Sequence, residues 1–447
     1  MSARRAAAEL LIAVLDQGRA LEDALSQTPS YAALQGRDRA FARALATATL
    51  RRLGGIDAVL ARFLQRPLPD TAYQGRALLR IGAAQLLVLG TPPHAAVGET
   101  VAAANAMQEA RGFAKLMNAV LRRVSEQGPS LFAALPPGAD LPAWLYTRWR
   151  AAYADAAPRI AEALLQEPPL DITTKNSPDE WAMRLMGAQT PTGSVRLPSP
   201  ARGEGRLFSS VEELDGFADG AWWVQDAAAA LPVRMLGDVR GERVLDLCAA
   251  PGGKTLQLAA AGALVTAIDK SEARLTRLRE NLARTGLSAD VICADALEFR
   301  AAEPFGAILL DAPCTSTGTL RRHPDVAWLR RPNDVRALAE LQSRLVTAAA
   351  EYLKPGGILV HAVCSLEPEE GPGVVADALN AGWRRVPLMR GEIGGADEFI
   401  TPDGDLRTLP AHWLQIGGLD GFFAARLVKD SARVSALPPS GRAANQP

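Results

Sequence analysis

Val244-Leu-Asp-Leu-Cys-Ala-Ala-Pro-Gly-Gly-Lys-Thr255 decides the fold of this chain. Val244 to Leu247 is a short, largely apolar run of strand length, Pro251-Gly252-Gly253 is turn chemistry, and a helical pattern opens at Lys254. A strand that passes through a glycine turn into a helix is the first unit of a parallel sheet with crossover helices. The same grammar repeats downstream. RVLDLC (243–248), ALVTAID (263–269), DVICAD (290–295), FGAILLDAP (305–313) and GGILVHAV (356–363) read as strands, with helices expected at about 254–261, 271–285, 334–352 and 367–380. WRRVPL and DGFFAARLVK add a late pair of strands. Residues 228–430 are therefore expected to form an α/β domain of Rossmann-like type.

The turn also narrows the ligand. Glycines let a ligand approach the backbone, and the helix behind them offers unpaired N–H groups. A P-loop requires G-x-x-x-x-G-K-[ST]; Gly253-Lys254-Thr255 fits its end, but Cys248 stands where its first glycine belongs. A nucleoside cofactor fits better, because an acid closing the second strand suits ribose hydroxyls. Asp269 closes ALVTAID, and Asp295 closes DVICAD where an adenine amino group can be read. Any one such acid could merely cap the next helix; two of them beside this turn favour the cofactor.

Asp311-Ala-Pro-Cys-Thr-Ser-Thr-Gly318 closes the fourth strand and Val363-Cys364-Ser365 the fifth. Ligands of open parallel sheets gather at the carboxyl ends of the strands, so Cys314 and Cys364 are expected in one crevice. A single cysteine there is commonly a small core residue. Two thiols facing one cofactor pocket, with an aspartate adjacent, suggest a thiolate nucleophile acting at carbon. Cys248 and Cys293 also lie near strand ends, but without C-x-x-C spacing a four-thiolate metal site has no support, and no metal is expected. His94, His323, His361 and His412 are scattered and receive no catalytic role.

Upstream, residues 1–130 carry only helical periodicity and are expected to form an all-α bundle. Ala7, Leu11, Val14 and Leu15 share one face, and Gly18 is placed to stop that helix. A second helix is expected from Asp38 as N-cap to Gly54-Gly55, with others over Leu78 to Leu89 and His94 to Ala110. Phe113, Met117, Val120, Leu121 and Val124 stack along a last one. Residues 131–227 read as a small α/β module: WLYTRWRAAY, APRIAEALLQE and PDEWAMRLMGA as helices, PLDITTKN as a strand, and TPTGSVRLPSPARGEG as a long surface loop. The polar tail 431–447 is expected to be disordered.

Of 447 residues, 48% are hydrophobic and 22% charged, which excludes wholesale disorder and collagen-like repeats. Four unpaired cysteines exclude a disulfide framework. Glu9 and Asp16 interrupt the apolar stretch at the N-terminus, and Ile81 to Gly98 is broken by Gly90, Pro92 and Pro93. Neither a signal peptide nor a membrane span is expected, so the location is read as cytoplasmic. The 49 basic and 49 acidic residues cancel, but 16 basic and 10 acidic residues lie in 1–130. That piece carries +6 and the remainder −6, so overall neutrality does not exclude a nucleic-acid partner. Deleting 1–130 is expected to weaken nucleic-acid binding more than cofactor binding.

LDLCAAPGGKT, DAPCTSTGTLRRHPD and VCSLEPEEG resemble the motifs of S-adenosylmethionine-dependent RNA cytosine-C5 methyltransferases. DRAFARALATATLR, LLRIGAAQLLVL, PHAAVGETV and LMNAVLRR resemble the NusB-type RNA-binding fold. Their fusion resembles the RsmB (Sun) type of 16S rRNA methyltransferase, over about 1–127 and 207–429. The resemblance implies S-adenosyl-L-methionine as cofactor, lined by Cys248, Ala249, Ala250, Pro251, Gly252, Gly253 and Lys254, with Asp269 on the ribose, Asp295 on the adenine side and Asp311 between cofactor and base. It implies Cys364 as nucleophile and Cys314 as the cysteine that helps break the adduct. Its implied partner is 16S rRNA, free or in an assembling subunit, and the chain is expected to act as a monomer. Arg321, Arg322, Arg330 and Arg331 are candidates for phosphate contacts at the mouth of the site.

Three departures from the family pattern stand out: Thr315-Ser316-Thr317 for Ser-Gly-Thr, Val363 for the threonine before the nucleophile, and Gly371 for the asparagine after Glu369-Glu370. They touch loop geometry and rate, and no reacting group is lost. Three other readings remain open at this point: a non-catalytic RNA-binding assembly factor, a methyltransferase acting on another RNA, and a DNA cytosine methyltransferase, which would leave Cys364 without a purpose.

Overall fold

A computed structural model describes residues 2–197 and 211–429. The second half of the long loop and the tail 431–447 lie outside the described residues. Two compact units emerge, and neither is a continuous stretch of chain. The first comprises Met1–Pro168, Thr315–Asp334 and Leu409–Asp420; the second comprises Pro169–Cys314, Val335–Thr408 and the residues from Gly421 on.

The first unit is helical: α1 (Ala3–Leu15), α2 (Leu21–Gln27), α3 (Pro29–Ala32), α4 (Gly36–Arg51), α5 (Leu53–Phe63), α6 (Tyr73–Leu87), α7 (Pro93–Ala106) and α8 (Ala114–Ala133). Ala7, Leu11 and Val14 of α1 and Met117, Val120, Leu121 and Val124 of α8 are buried in one core, as their spacing requires. Gly54-Gly55 does not end a helix; the pair lies inside the first turn of α5. A Cβ on Gly54 would stand 2.2 Å from the Ala139 carbonyl oxygen, so the glycines serve close packing and not a left-handed stop. Asp38 falls inside α4, and Gln35 occupies the cap position. The helices Ala143–Tyr153 and Ala157–Ala163 belong to this unit, whose first segment runs to Pro168.

The Thr315–Asp334 segment is held within this unit by named bonds. The Trp328 indole N–H donates to the Leu50 carbonyl at 2.9 Å, and Arg51 Nη2 donates to the Arg321 carbonyl at 2.9 Å. Asp325 Oδ2 accepts the Leu21 N–H at 2.9 Å, satisfying an orphan donor of α2, whose own cap residue makes no side-chain bond. Since Leu21, Leu50 and Arg51 lie in 1–130, removing that stretch strips 315–334 of these partners as well as removing a basic surface.

The second unit holds two sheets. The smaller contains β1 (Leu170–Thr174), β2 (Ala188–Gln189), β3 (Val195–Leu197) and β4 (Trp222–Val224), in the antiparallel order β2-β3-β1-β4. Val195-Arg-Leu197, read from sequence as loop, is strand β3. It pairs with β1 and buries Val195 and Leu197 with Ile172, Trp181 and Trp222. Asp171 and Arg196 form a buried two-pronged ion pair across β1 and β3, both contacts at 2.7 Å.

The larger sheet contains β5 (Arg243–Leu247), β6 (Leu264–Asp269), β7 (Asp290–Cys293), β8 (Phe305–Asp311), β9 (Leu353–Val363), β10 (Trp383–Arg385), β11 (Leu406–Thr408) and β12 (Phe422–Lys429). Its order is β10-β12-β9-β8-β5-β6-β7, with β11 paired to β12. β5 to β9 are parallel, while β10, β11 and β12 are antiparallel additions. The five strands expected from apolar runs are present. β11 has no counterpart in the sequence reading.

Candidate active site

β5 pairs with β6 on one side and β8 on the other, so the strand order reverses beside it. The registers Leu247↔Ile268, Asp269↔Cys293, Leu247↔Leu310 and Asp311↔Ala362 put the carboxyl ends of β5 to β9 on one edge. Every sequence-predicted cofactor residue and both candidate thiols, Cys314 and Cys364, lie at or just beyond that edge.

At the end of β5 the backbone turns through two left-handed positions, Cys248 (φ 63°) and Gly252 (φ 107°), into the helix Gly253–Ala260. A Cβ on Gly252 would stand 2.9 Å from Leu278, and its φ also excludes other residues. Asp269 is buried and organises this turn. It accepts the Ala250 N–H (3.2 Å) and the Ser271 N–H (2.9 Å) and pairs with Arg274 at 3.3 Å, while Arg274 also donates to the Ala250 carbonyl. The cap of the following helix is Ser271, which accepts from the Arg274 N–H. Asp295 is exposed at the neighbouring strand end and accepts the Leu297 N–H at 2.9 Å.

Lys254 does more than line the turn. Its Nζ is 2.7 Å from Asp311 Oδ2 and 5.1 Å from the centre of the Phe422 ring. Burial would lower its pKa, but the Asp311 carboxylate, with smaller help from the Cys364 sulfur and Asp246, raises it overall. Lys254 therefore remains an ammonium, paired with Asp311.

Cys314 Sγ and Cys364 Sγ are 3.4 Å apart, so the two loops do converge. Cys314 is buried and Cys364 half-buried. At Cys248, burial, then Asp269, Asp311 and Asp246, push the thiol up to about 12, so it stays neutral. Cys293 is exposed and contacts the Lys270 carbonyl at 3.7 Å. Among the described residues, no group of three or more His, Cys, Asp or Glu is arranged to hold a metal ion. His361 is buried, and burial lowers its pKa to about 4, which keeps the ring neutral.

Asp246, in the middle of β5, has no role in the sequence reading and is its main omission. It is fully buried; Oδ2 accepts from Thr255 Oγ1 at 2.6 Å, and Oδ1 has no hydrogen-bond partner. Burial, opposed by the Thr255 bond, raises its carboxyl from 3.8 to about 7. The folded protein thus binds this proton more tightly than the unfolded chain. The resulting stability is fully present below about pH 4 and is lost as pH rises through about 7. Asp246→Asn should lack this dependence, so the urea midpoint of the wild type should fall relative to the variant between pH 5 and pH 8. Parallel midpoints over that range would disprove the shift.

The four candidate arginines separate. Arg321 is fully buried, donating to the Gly417 carbonyl at 2.5 Å and pairing with Asp420 at 3.4 Å. It is a structural residue, which corrects its expected place at a phosphate. Arg322 also pairs with Asp420 at 3.1 Å, Arg330 donates to the Thr315 carbonyl at 3.2 Å, and Arg331 is exposed. The family departures have local explanations too. Ser316 takes φ 59°, a left-handed conformation that glycine adopts more cheaply. A Cβ on Gly371 would stand 2.8 Å from the Phe423 ring, so that ring occupies side-chain space at this position. Val363 is buried on β9, paired with Phe423.

Comparisons with known proteins agree with this geometry. The profile of the family described as 16S rRNA methyltransferase RsmB/F matches residues 233–428, and that of the NusB family matches residues 1–126. Ribosomal RNA small subunit methyltransferase B of Klebsiella pneumoniae is 36% identical over 444 residues, covering 95% of this chain and 98% of that protein. The crystal structure of PH0851 superposes with a TM-score of 0.70 at 21% identity, covering 96% of this chain and 98% of that one. A methyltransferase homologue from Pyrococcus horikoshii superposes with a TM-score of 0.52 at 29% identity, covering 64% of this chain and 94% of that one. No helix among the described residues is long and apolar enough to cross a membrane.

Proposed function

The chain belongs to the ribosomal RNA small subunit methyltransferase B family, and from that premise we propose that it methylates C5 of a cytidine in 16S rRNA through a covalent adduct on Cys364. It is an S-adenosylmethionine-dependent rRNA methyltransferase; the base, the carbon and the adduct are our reading. The observation that carries the reading is the convergence of Cys314 and Cys364, 3.4 Å apart, beside the Lys254–Asp311 pair.

The residues fit the cofactor. The glycine turn opens the helix Gly253–Ala260, whose first N–H groups lack intrahelical partners, and Asp246 Oδ1, buried without a hydrogen-bond partner, suits a cationic ligand. Asp269 and Asp295 close adjacent strands, on the side of the sheet away from the thiols. When bound, S-adenosylmethionine supplies an electrophilic methyl group on a sulfonium.

Cytosine C5 is a poor nucleophile by itself. Addition of the Cys364 thiolate to C6 forms the S–C6 bond and moves the C5=C6 electron pair into the ring, making C5 enamine-like. The charge that builds on the pyrimidine edge is met by the Lys254–Asp311 pair, prearranged at 2.7 Å. After C5 accepts the methyl group, the broken S–CH3 bond leaving its electron pair on a neutral thioether, the C5 proton passes to a base, the C5=C6 bond re-forms and the S–C6 bond breaks to return the thiolate. Cys314 is the group we assign to assist that release. The exposed Arg331, with Arg322 and Arg330, remains a candidate for RNA phosphate contacts, and the basic helical unit for RNA docking. Bisulfite sequencing of 16S rRNA from cells with and without the gene is the test. One protected cytidine that disappears with the gene is expected; an unchanged pattern refutes the assignment.

A further inference from the structure

Cys314 and Cys364 come from different loops, 50 positions apart in sequence, and a reaction that needs both thiols needs their separation held. The structure shows what lies behind them. Gln342, fully buried on the helix Pro332–Tyr352, donates from Nε2 to the Pro313 carbonyl at 2.8 Å and to Glu370 Oε1 at 3.2 Å. Glu370, also fully buried, accepts from Ser365 Oγ on its other oxygen at 2.5 Å. Pro313 precedes Cys314 and Ser365 follows Cys364. Three hydrogen bonds therefore run Pro313–Gln342–Glu370–Ser365 and join the neighbours of the two thiols. The Ser365 end is pinned further: its Oγ accepts the Glu367 N–H at 3.0 Å, and its carbonyl accepts from Arg407 Nη1 at 2.7 Å.

We propose that Gln342 and Glu370 are positioning residues that set the distance between the Cys314 and Cys364 sulfurs; the consequence for turnover rests on the reaction assigned above. Packing does not explain Gln342. The other buried residues of its helix are Val335, Leu345, Val346, Ala349 and Tyr352, apolar apart from the Tyr352 hydroxyl at the helix end. Gln342 Oε1 is buried without a hydrogen-bond partner, an arrangement that costs stability an apolar side chain would not lose. What the amide supplies is the link between two loops. A buried polar network of this kind specifies one geometry, and misplacing reacting groups by about 1 Å costs about 10²-fold in rate.

The experiment reads the distance and the reaction separately. Diamide takes two hydrogens from a pair of adjacent thiols, so the rate of Cys314–Cys364 disulfide formation, followed by peptide mass spectrometry in the full chain, reports their approach. For Gln342→Leu, cross-linking should slow at least about tenfold, and kcat for rRNA methylation should fall about 10²-fold, with KM for rRNA and for S-adenosylmethionine within about twofold of wild type. If that variant does not fold, Ser365→Ala, which removes the last bond of the chain together with the Glu367 N–H contact, should show the same pattern at smaller amplitude. Wild-type cross-linking in a folded variant overturns the proposal, whatever its activity. A rise in KM with unchanged kcat also overturns it. If the wild type does not methylate cytosine C5, the reaction assignment fails, while the cross-linking rates still decide the role of the brace.

Discussion

Replacing Cys364 with alanine should reduce methyl transfer from labelled S-adenosylmethionine to 16S rRNA by roughly 10⁴- to 10⁶-fold, the range seen when a covalent nucleophile is removed. The effect should be this large because the remaining groups cannot take over. Lys254 is committed to Asp311, and Cys248 is held neutral with a thiol pushed up to about 12. Cys314 lies 3.4 Å away, but it is buried and leaves from a different strand. Thermal stability and cofactor affinity should change little, since Cys364 lies just beyond β9, on a different strand from the glycine turn after β5. The measurement is single-turnover methyl transfer with cofactor binding titrated in parallel. Activity within tenfold of wild type would remove Cys364 from the role of nucleophile.

Cys314→Ala should have the opposite signature. If Cys314 assists breakdown, its loss leaves addition and methyl transfer possible but traps the S–C6 bond. A protein–RNA species resistant to denaturation should then accumulate to a large fraction of the enzyme, while multiple turnover falls by roughly 10²–10⁴-fold, the usual worth of a positioned acid or base. Denaturing gel electrophoresis with labelled rRNA reads this directly. Should the trapped species appear with Cys364→Ala and not with Cys314→Ala, the two roles exchange. The close sulfur–sulfur approach allows either assignment; the Lys254 ammonium, which responds to charge on Cys364, favours Cys364 as the nucleophile.

Much of the catalytic unit was legible in the residues alone, for a physical reason. Parallel strands covered on both faces are near-continuous apolar runs, so β5, β6, β8 and β9 show clearly in sequence. The strands that escaped are Ala188–Gln189, Val195–Leu197, Trp222–Val224 and Leu406–Thr408, each two or three residues long and too short to establish a period. Gly54-Gly55 was misread because close backbone approach and helix termination use the same residue. The convergence of Cys314 and Cys364 was readable because topology, not local propensity, brings strand ends together. The brace behind them was not, because hydrogen bonds between distant segments leave no periodic trace. Its one signal is chemical: Gln342 is a polar residue on a buried, otherwise apolar helix face, as Asp246 is in an apolar strand. The membership of 315–334 was also hidden. Arginines flanking His323-Pro324 suggest a wet surface, whereas Asp325 and Trp328 reach α2 and α4.

The discontinuity of the helical unit has a consequence for how the chain is made. Its pieces end at Pro168, Asp334 and Asp420, so about 250 residues separate the first stretch from the last. At synthesis rates of roughly 5–20 residues per second, that interval is about 12–50 s. For about 160 of those residues, the Leu50 carbonyl and the Leu21 N–H await Trp328 and Asp325, which the ribosome has yet to deliver. The helical unit is thus first to be begun, yet it cannot be completed until most of the second unit has been translated. The two units therefore mature as one interlaced product, with no point along the chain where the first is finished before the second starts.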